Sequence, residues 1–150
     1  MSSSRWGGSC RPQDLPELPG DPIVVEYAPQ LALLDRAALA IAIAHAGLNT
    51  TLEALARGVP LVAVPVANDQ PGVGARIAWT GTGEVIPLKR LSAAKLKQAI
   101  GRVLQESHYR FRESARGLQE AIRCAGGVTQ AAQIVEQVAR TGDPVWAERS

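Results

Sequence analysis

The chain has 150 residues, 46% of them hydrophobic and 20% charged, which suffices for one domain around one sizeable core. Aromatic residues make up 4%, so that core is expected to be aliphatic and alanine-rich, and a net charge of +2 is too small an excess to signal a nucleic-acid partner. Two cysteines, Cys10 and Cys124, have neither a disulfide framework nor metal-ligand spacing and fit a reducing compartment.

Residues 1–20 read as an irregular leader, holding Ser2, Ser3, Ser4, Gly7, Gly8, Pro12, Pro16 and Pro19 with no apolar period. Regular patterning begins at Pro22. Ile23, Val24 and Val25 form a short β-branched run read as a strand, and residues 30–34 suit a turn or two of helix. Residues 39–44 form a continuous apolar run of strand length, which predicts a strand buried on both faces. A helix is predicted over residues 49–57, capped by Asn49 or Thr50 and stopped by Gly58 and Pro60. Residues 61–64 give the next buried strand. The polar loop from Ala67 to Gln70 then leads into a helix reaching about Trp79, with Gly81 and Gly83 breaking it and residues 84–86 forming a last short strand.

After Leu91 the period becomes helical. Leu96, Ile100, Val103 and Leu104 mark one helix, Phe111, Ala115, Leu118 and Ile122 a second, and Ala131, Ile134, Val135 and Val138 a third beyond Gly126 and Gly127. The domain is taken to span residues 21–141, with a frayed tail over 142–150. Strands alternating with helices predict an α/β fold, a Rossmann-like parallel sheet with helices on both faces.

Ligands of such sheets bind in the loops at the carboxyl ends of the strands. One loop reads His45-Ala46-Gly47-Leu48-Asn49-Thr50. Gly47 permits close backbone approach, Asn49 or Thr50 begins a helix whose free N–H groups attract phosphate, and His45 can donate to the same anion. The second loop ends in Asp69-Gln70, a carboxylate beside an amide, suited to gripping vicinal sugar hydroxyls. Neither a Walker-type phosphate loop nor a dinucleotide glycine motif is present.

The joint spacing carries more than any single residue. Tyr27-Ala28-Pro29-Gln30, then His45, Gly47, Asn49, Thr50 and Glu53, then Gly58-Val59-Pro60, Pro65 and Asp69-Gln70 fill a window from residue 27 to residue 70. This resembles, without insertion or deletion, the donor-binding signature of the UDP-glycosyltransferase family of GT-B fold, with surroundings most like bacterial members of macrolide- and zeaxanthin-glycosyltransferase type.

The resemblance implies the C-terminal, donor-binding half of a GT-B fold. It places Tyr27 against the nucleobase and Gln30 at base or ribose. It also places His45, Gly47, Asn49 and Thr50 at the diphosphate, Glu53 at the ribose hydroxyls, and Asp69 and Gln70 at the transferred sugar. Tyr27 stands where Trp is usual, Leu48 where Trp is frequent and Ala46 where Gly or Cys is frequent, so the nucleotide is read as UDP with TDP left open.

The implied chemistry is inverting transfer of a hexose, glucose by analogy, to a hydroxyl of a small, lipophilic acceptor, with the nucleotide sugar as co-substrate and no metal or other cofactor. The catalytic base of the family lies in an N-terminal domain, so no catalytic residue is expected in this chain. The donor domain's first strand–helix unit also finds no counterpart. Three readings follow: a donor subunit requiring a separate acceptor-domain chain, a truncated remnant or module that binds UDP-sugar without turnover, and a non-transferase relative such as a sugar epimerase.

No signal peptide is read at the start and the most apolar stretch, residues 31–44, holds Asp35 and Arg36, so the expected location is cytoplasmic. Between Lys89 and Arg123 nine basic residues face only Glu106, Glu113 and Glu120. They are read as solvated helix faces, or as a weak peripheral contact with an anionic membrane surface.

Overall fold

The computed structural model describes residues 20, 22–25, 28–36, 42–106 and 108–146. The leader (Gly20 excepted), Cys10, Tyr27, residues 39–41 of the first long strand and the last four residues lie outside these. In chain order come α1 (Gln30–Arg36), β1 (Ala42–Ala44), α2 (Leu48–Leu55), β2 (Leu61–Ala63), α3 (Gln70–Thr80), β3 (Gly83–Val85), α4 (Ala93–Gly101), α5 (His108–Cys124) and α6 (Gly127–Thr141). Strands β1, β2 and β3 pair in that order, all parallel, with Ala42 opposite Leu61 and Leu61 opposite Gly83.

The two-residue period of β2 divides the core. Leu61 and Ala63 point into a cluster with Ala54 and Leu55 of α2, Ile77 of α3 and Ala115 of α5. Val62 points the other way, against Ile86, Ala99 of α4 and Val103, with Phe111 packed alongside. Helices therefore cover both faces, and all three β2 side chains are buried because the strand is central.

Glycines end the helices as expected. Gly81 (φ 67°) closes α3, and Gly58 (φ 65°) follows α2 in the left-handed conformation that side chains disfavour. Gln119 of α5 donates to the Ala56 carbonyl at 3.3 Å, seating α5 on that turn. Arg57 bonds Asp35 at 2.6 Å and the Glu53 carbonyl at 3.2 Å, which fastens α1 to α2.

Four expectations need correction. Residues 22–25 join no strand, and Ile23, Val24 and Val25 are 93%, 39% and 55% exposed. A β-branched run becomes a strand only against a partner, and none pairs with it among the described residues. β1 is not buried on both faces: Ile43 is half exposed, since β1 pairs only with β2 there and lies at the edge. α2 begins earlier than predicted, with Gly47 rather than Asn49 or Thr50 at its N-cap. The apolar stripe of α6 forms but buries nothing; Ile134, Val135 and Val138 remain exposed. The helix predicted through Leu104 also changes pitch, passing from α4 into a π-turn over Arg102–Glu106 that leaves Leu104 at the surface.

Candidate functional site

The carboxyl ends of β1 and β2 open onto α2 and α3 respectively. Between β1 and α2 the chain turns through Ala46, fully buried in the left-handed region at φ 61°. For a residue with a Cβ this conformation costs roughly 1–2 kcal/mol, the kind of strain often found where a loop must meet a ligand. It leaves His45 exposed on one side and Gly47 at the start of α2 on the other.

The start of α2 carries neither a side-chain cap nor an acidic residue in its first turn. Thr51 N–H bonds the Gly47 carbonyl at 2.9 Å, so the amides of Leu48, Asn49 and Thr50 are the ones without helical partners. These amides and the helix dipole favour an anion.

Gly47 has an ordinary extended conformation (φ −63°, ψ 137°), so its backbone does not require glycine. The His45 ring does: a Cβ on Gly47 would stand 2.7 Å from His45 Nε2. Gly47→Ala should therefore push the imidazole aside without unfolding the chain. A thermal melt within a few degrees of the parent, together with weaker binding of UDP, is expected; unchanged UDP affinity would exclude His45 from the anion site.

Two cavities meet along the first turn of α2. One, of about 720 Å³, is lined by Ala28, Pro29, Gln30, Leu31, Ala32, Asn49, Thr50 and Glu53. The other, of about 440 Å³, is lined by His45, Gly47, Leu48, Asn49, Thr50 and Asp69. Both sizes fall in the range of small-molecule sites. Asn49 and Thr50 belong to both, so one open groove runs from α1 across the start of α2 to the loop after β2.

Within the first cavity Gln30 Nε2 donates to Glu53 Oε2 at 2.6 Å, with a long 3.5 Å approach to Thr50 Oγ1. One carboxylate oxygen of Glu53 is thus held by Gln30 and the other faces the groove. At the far end, Asp69 is exposed and its carboxylate makes no hydrogen bond among the described residues. Gln70 turns back instead, its Oε1 accepting from Val66 N at 2.8 Å and Ala67 N at 3.0 Å.

Of the nine residues singled out in the sequence, Gln30, His45, Gly47, Asn49, Thr50, Glu53 and Asp69 line the groove. Gln70 adjoins it through its loop, and Tyr27 lies outside the described residues. Ala28, Pro29, Leu31 and Ala32 also line the groove, although as apolar residues they carry no chemical signature. Thr51, beside Thr50, is buried with no partner for its hydroxyl among the described residues and does not line the groove.

Cys124 is free and exposed at the end of α5. Its thiol donates to Glu120 at 3.3 Å, and the adjacent carboxylate pushes its pKa up, which disfavours the nucleophilic thiolate. Among the described residues no His, Cys, Asp and Glu group could hold a metal ion, and no described helix is long and apolar enough to cross a membrane.

An open anion-binding helix start at the carboxyl edge of a parallel sheet, flanked by polar groups at both ends, defines a nucleotide-binding α/β domain. Residues 6–116 match the family model described as UDP-glucoronosyl and UDP-glucosyl transferase, and the chain belongs to that family.

It is 42% identical over 124 residues to the zeaxanthin glucosyltransferase of Pantoea ananas, a match covering 81% of this chain and 27% of that protein. It is 30% identical over 130 residues to the NDP-glycosyltransferase YjiC of Bacillus subtilis, covering 87% of this chain and 32% of the relative. Among solved structures, the glycotransferase of kitacinnamycin superposes with a TM-score of 0.72 at 31% identity, over 83% of this chain and 31% of the other. Os79 from O. sativa, in complex with UDP and deoxynivalenol-3-glucoside, gives 0.70 at 29% identity over 79% and 29% of the two chains. These neighbours identify the α/β layer as part of a GT-B fold. The chain spans about a third or less of the length of these relatives.

Proposed function

We propose that this chain binds the nucleotide sugar for an inverting glycosyl transfer, taking a hexose from a UDP-sugar to a hydroxyl of a small acceptor. The observation that carries the reading is the continuous groove along the open start of α2, joining the Gln30–Glu53 pair to His45 and Asp69. The UDP in the Os79 complex and the glucosyltransferase named among the relatives favour a uridine nucleotide and glucose.

In this reading Glu53 accepts from the ribose hydroxyls and Gln30 orients it, while Tyr27 stacks on the base. The α2 amides and His45 take the charge that develops on the departing diphosphate, a preorganised electrostatic role that needs no metal. Asp69 accepts from the sugar hydroxyls. The general base that takes the acceptor proton is assigned to an acceptor domain, supplied by a separate chain or a further part of the protein, together with the lipophilic acceptor pocket.

Calorimetric titration of the folded chain with UDP and UDP-glucose tests this proposal. Binding of both, weakened by His45→Ala, is the expected result; no binding by a demonstrably folded chain would leave the groove without a function. Binding without transfer, even when an acceptor domain is added, would favour the binding-module reading, which the short span relative to the relatives makes worth separating.

The same reading keeps the protein in the cytoplasm. Its basic residues from Lys89 to Arg123 give it a weak, salt-sensitive attraction to anionic lipid. Co-sedimentation with phosphatidylglycerol vesicles at low salt, lost at high salt, is expected; no association at low salt would dismiss the membrane contact.

A further inference from the structure

Gln70 begins α3, and its side chain does not extend into the groove. Its Oε1 accepts hydrogen bonds from two successive backbone amides, those of Val66 at 2.8 Å and Ala67 at 3.0 Å. An amide oxygen has two lone pairs, so this acceptor is saturated. Only the two Nε2 hydrogens remain for anything else.

The bonds close a short loop after β2. Gln70 N–H bonds the Ala67 carbonyl at 3.2 Å, and Asn68 between them sits in the left-handed region at φ 56°. Asp69 follows as the N-cap of α3, but its side chain caps nothing. Its carboxylate is left exposed, in the cavity it shares with His45 and Asn49. The loop thus has one end tied by a side chain and a free acceptor presented by the residue next to it.

Resting on the sugar-site reading above, we infer that Gln70 is a positioning residue: it pins residues 66–70 so that the Asp69 carboxylate meets the sugar, and itself offers the sugar only an N–H donor. The sugar-specific part of donor affinity therefore depends on the Gln70 acceptor atom, even though that atom never touches the ligand.

Gln70→Glu and Gln70→Ala separate this role from direct contact. A glutamate oxygen can still accept both amides but brings no N–H, whereas alanine loses both functions. Two readouts on the full chain are needed: amide hydrogen exchange of Val66 and Ala67 without ligand, and affinities for UDP and UDP-glucose. Exchange at both amides should rise at least tenfold in Gln70→Ala and stay near the parent in Gln70→Glu. UDP affinity should hold within about twofold in both. UDP-glucose affinity should fall furthest in the alanine variant, with the glutamate variant recovering at least threefold of it.

Unchanged exchange in Gln70→Ala would overturn the positioning role, as would equal loss of UDP-glucose affinity in the two variants, which marks direct contact alone. A parent chain that binds UDP but gains nothing from the glucose would instead remove the sugar site itself, and with it this role for Gln70.

Discussion

Gly83→Ala is expected to destabilise the chain by about 3 kcal/mol, at the upper end of what overpacking a close contact costs. In a protein of this size that lowers the melting temperature by about 10 °C. Gly83 opens β3 and pairs directly with Leu61 of β2, the fully buried residue at the centre of the sheet. A Cβ built on Gly83 overlaps the Leu61 carbonyl oxygen and also meets its carbonyl carbon at 2.8 Å. The obstacle is backbone, so no rotamer change relieves it.

Making room for the methyl would separate β2 from β3. It would break the parallel ladder and loosen both core clusters, since Leu61 and Ala63 serve one and Val62 the other. Gly72→Ala provides the contrast, because nothing lies within 4 Å of a Cβ there and the residue is inside α3. Alanine at that position should be neutral or stabilising by up to about 1 kcal/mol. Thermal melts of the two variants decide the matter: equal melting temperatures would mean that β2 and β3 do not approach as closely as the geometry requires.

Gly83 also shows how far the sequence can be read. It is legible there as a break after α3, whereas the structure uses it inside a strand, because the need for glycine arises from a neighbour more than twenty residues away. The same limit explains residues 23–25. Their β-branched pattern is a genuine strand propensity, but propensity supplies no partner, and the run stays exposed among the described residues. α6 is similar: its periodic stripe predicts a helix correctly and says nothing about what covers it.

Where local chemistry decides the outcome, the sequence was sufficient. Gly58 and Gly81 stop α2 and α3, and the buried period of β2 follows from three consecutive apolar residues. Most of the candidate site was legible for a different reason, the fixed spacing from residue 27 to residue 70. That spacing locates residues along the groove without giving side-chain direction. It could not distinguish Asp69, which points out with a free carboxylate, from Gln70, which folds back onto the backbone. Nor could it show that Gln30 and Glu53, from separate helices, form one unit.

That unit carries the largest expected effect on ligand binding. Glu53→Ala should weaken UDP binding by about 1.5–3 kcal/mol, the usual worth of hydrogen bonds to a charged group, or roughly 10- to 100-fold. Glu53 is partly buried on α2, with Gln30 holding Oε2 at 2.6 Å and Arg57 fixing its backbone carbonyl at 3.2 Å. A carboxylate already oriented before ligand arrives loses little entropy on binding, so its contribution should approach the upper part of that range.

The ribose assignment makes a sharper demand. If Glu53 acts through the sugar hydroxyls, 2′-deoxy-UDP should already lack part of the contact, and Glu53→Ala should then cost less with the deoxy nucleotide than with UDP. Gln30→Ala should weaken UDP less than Glu53→Ala does, because it releases the carboxylate without removing it. An equal penalty for both nucleotides in Glu53→Ala would place Glu53 away from the 2′-hydroxyl. No penalty in a folded variant would remove it from the nucleotide site altogether.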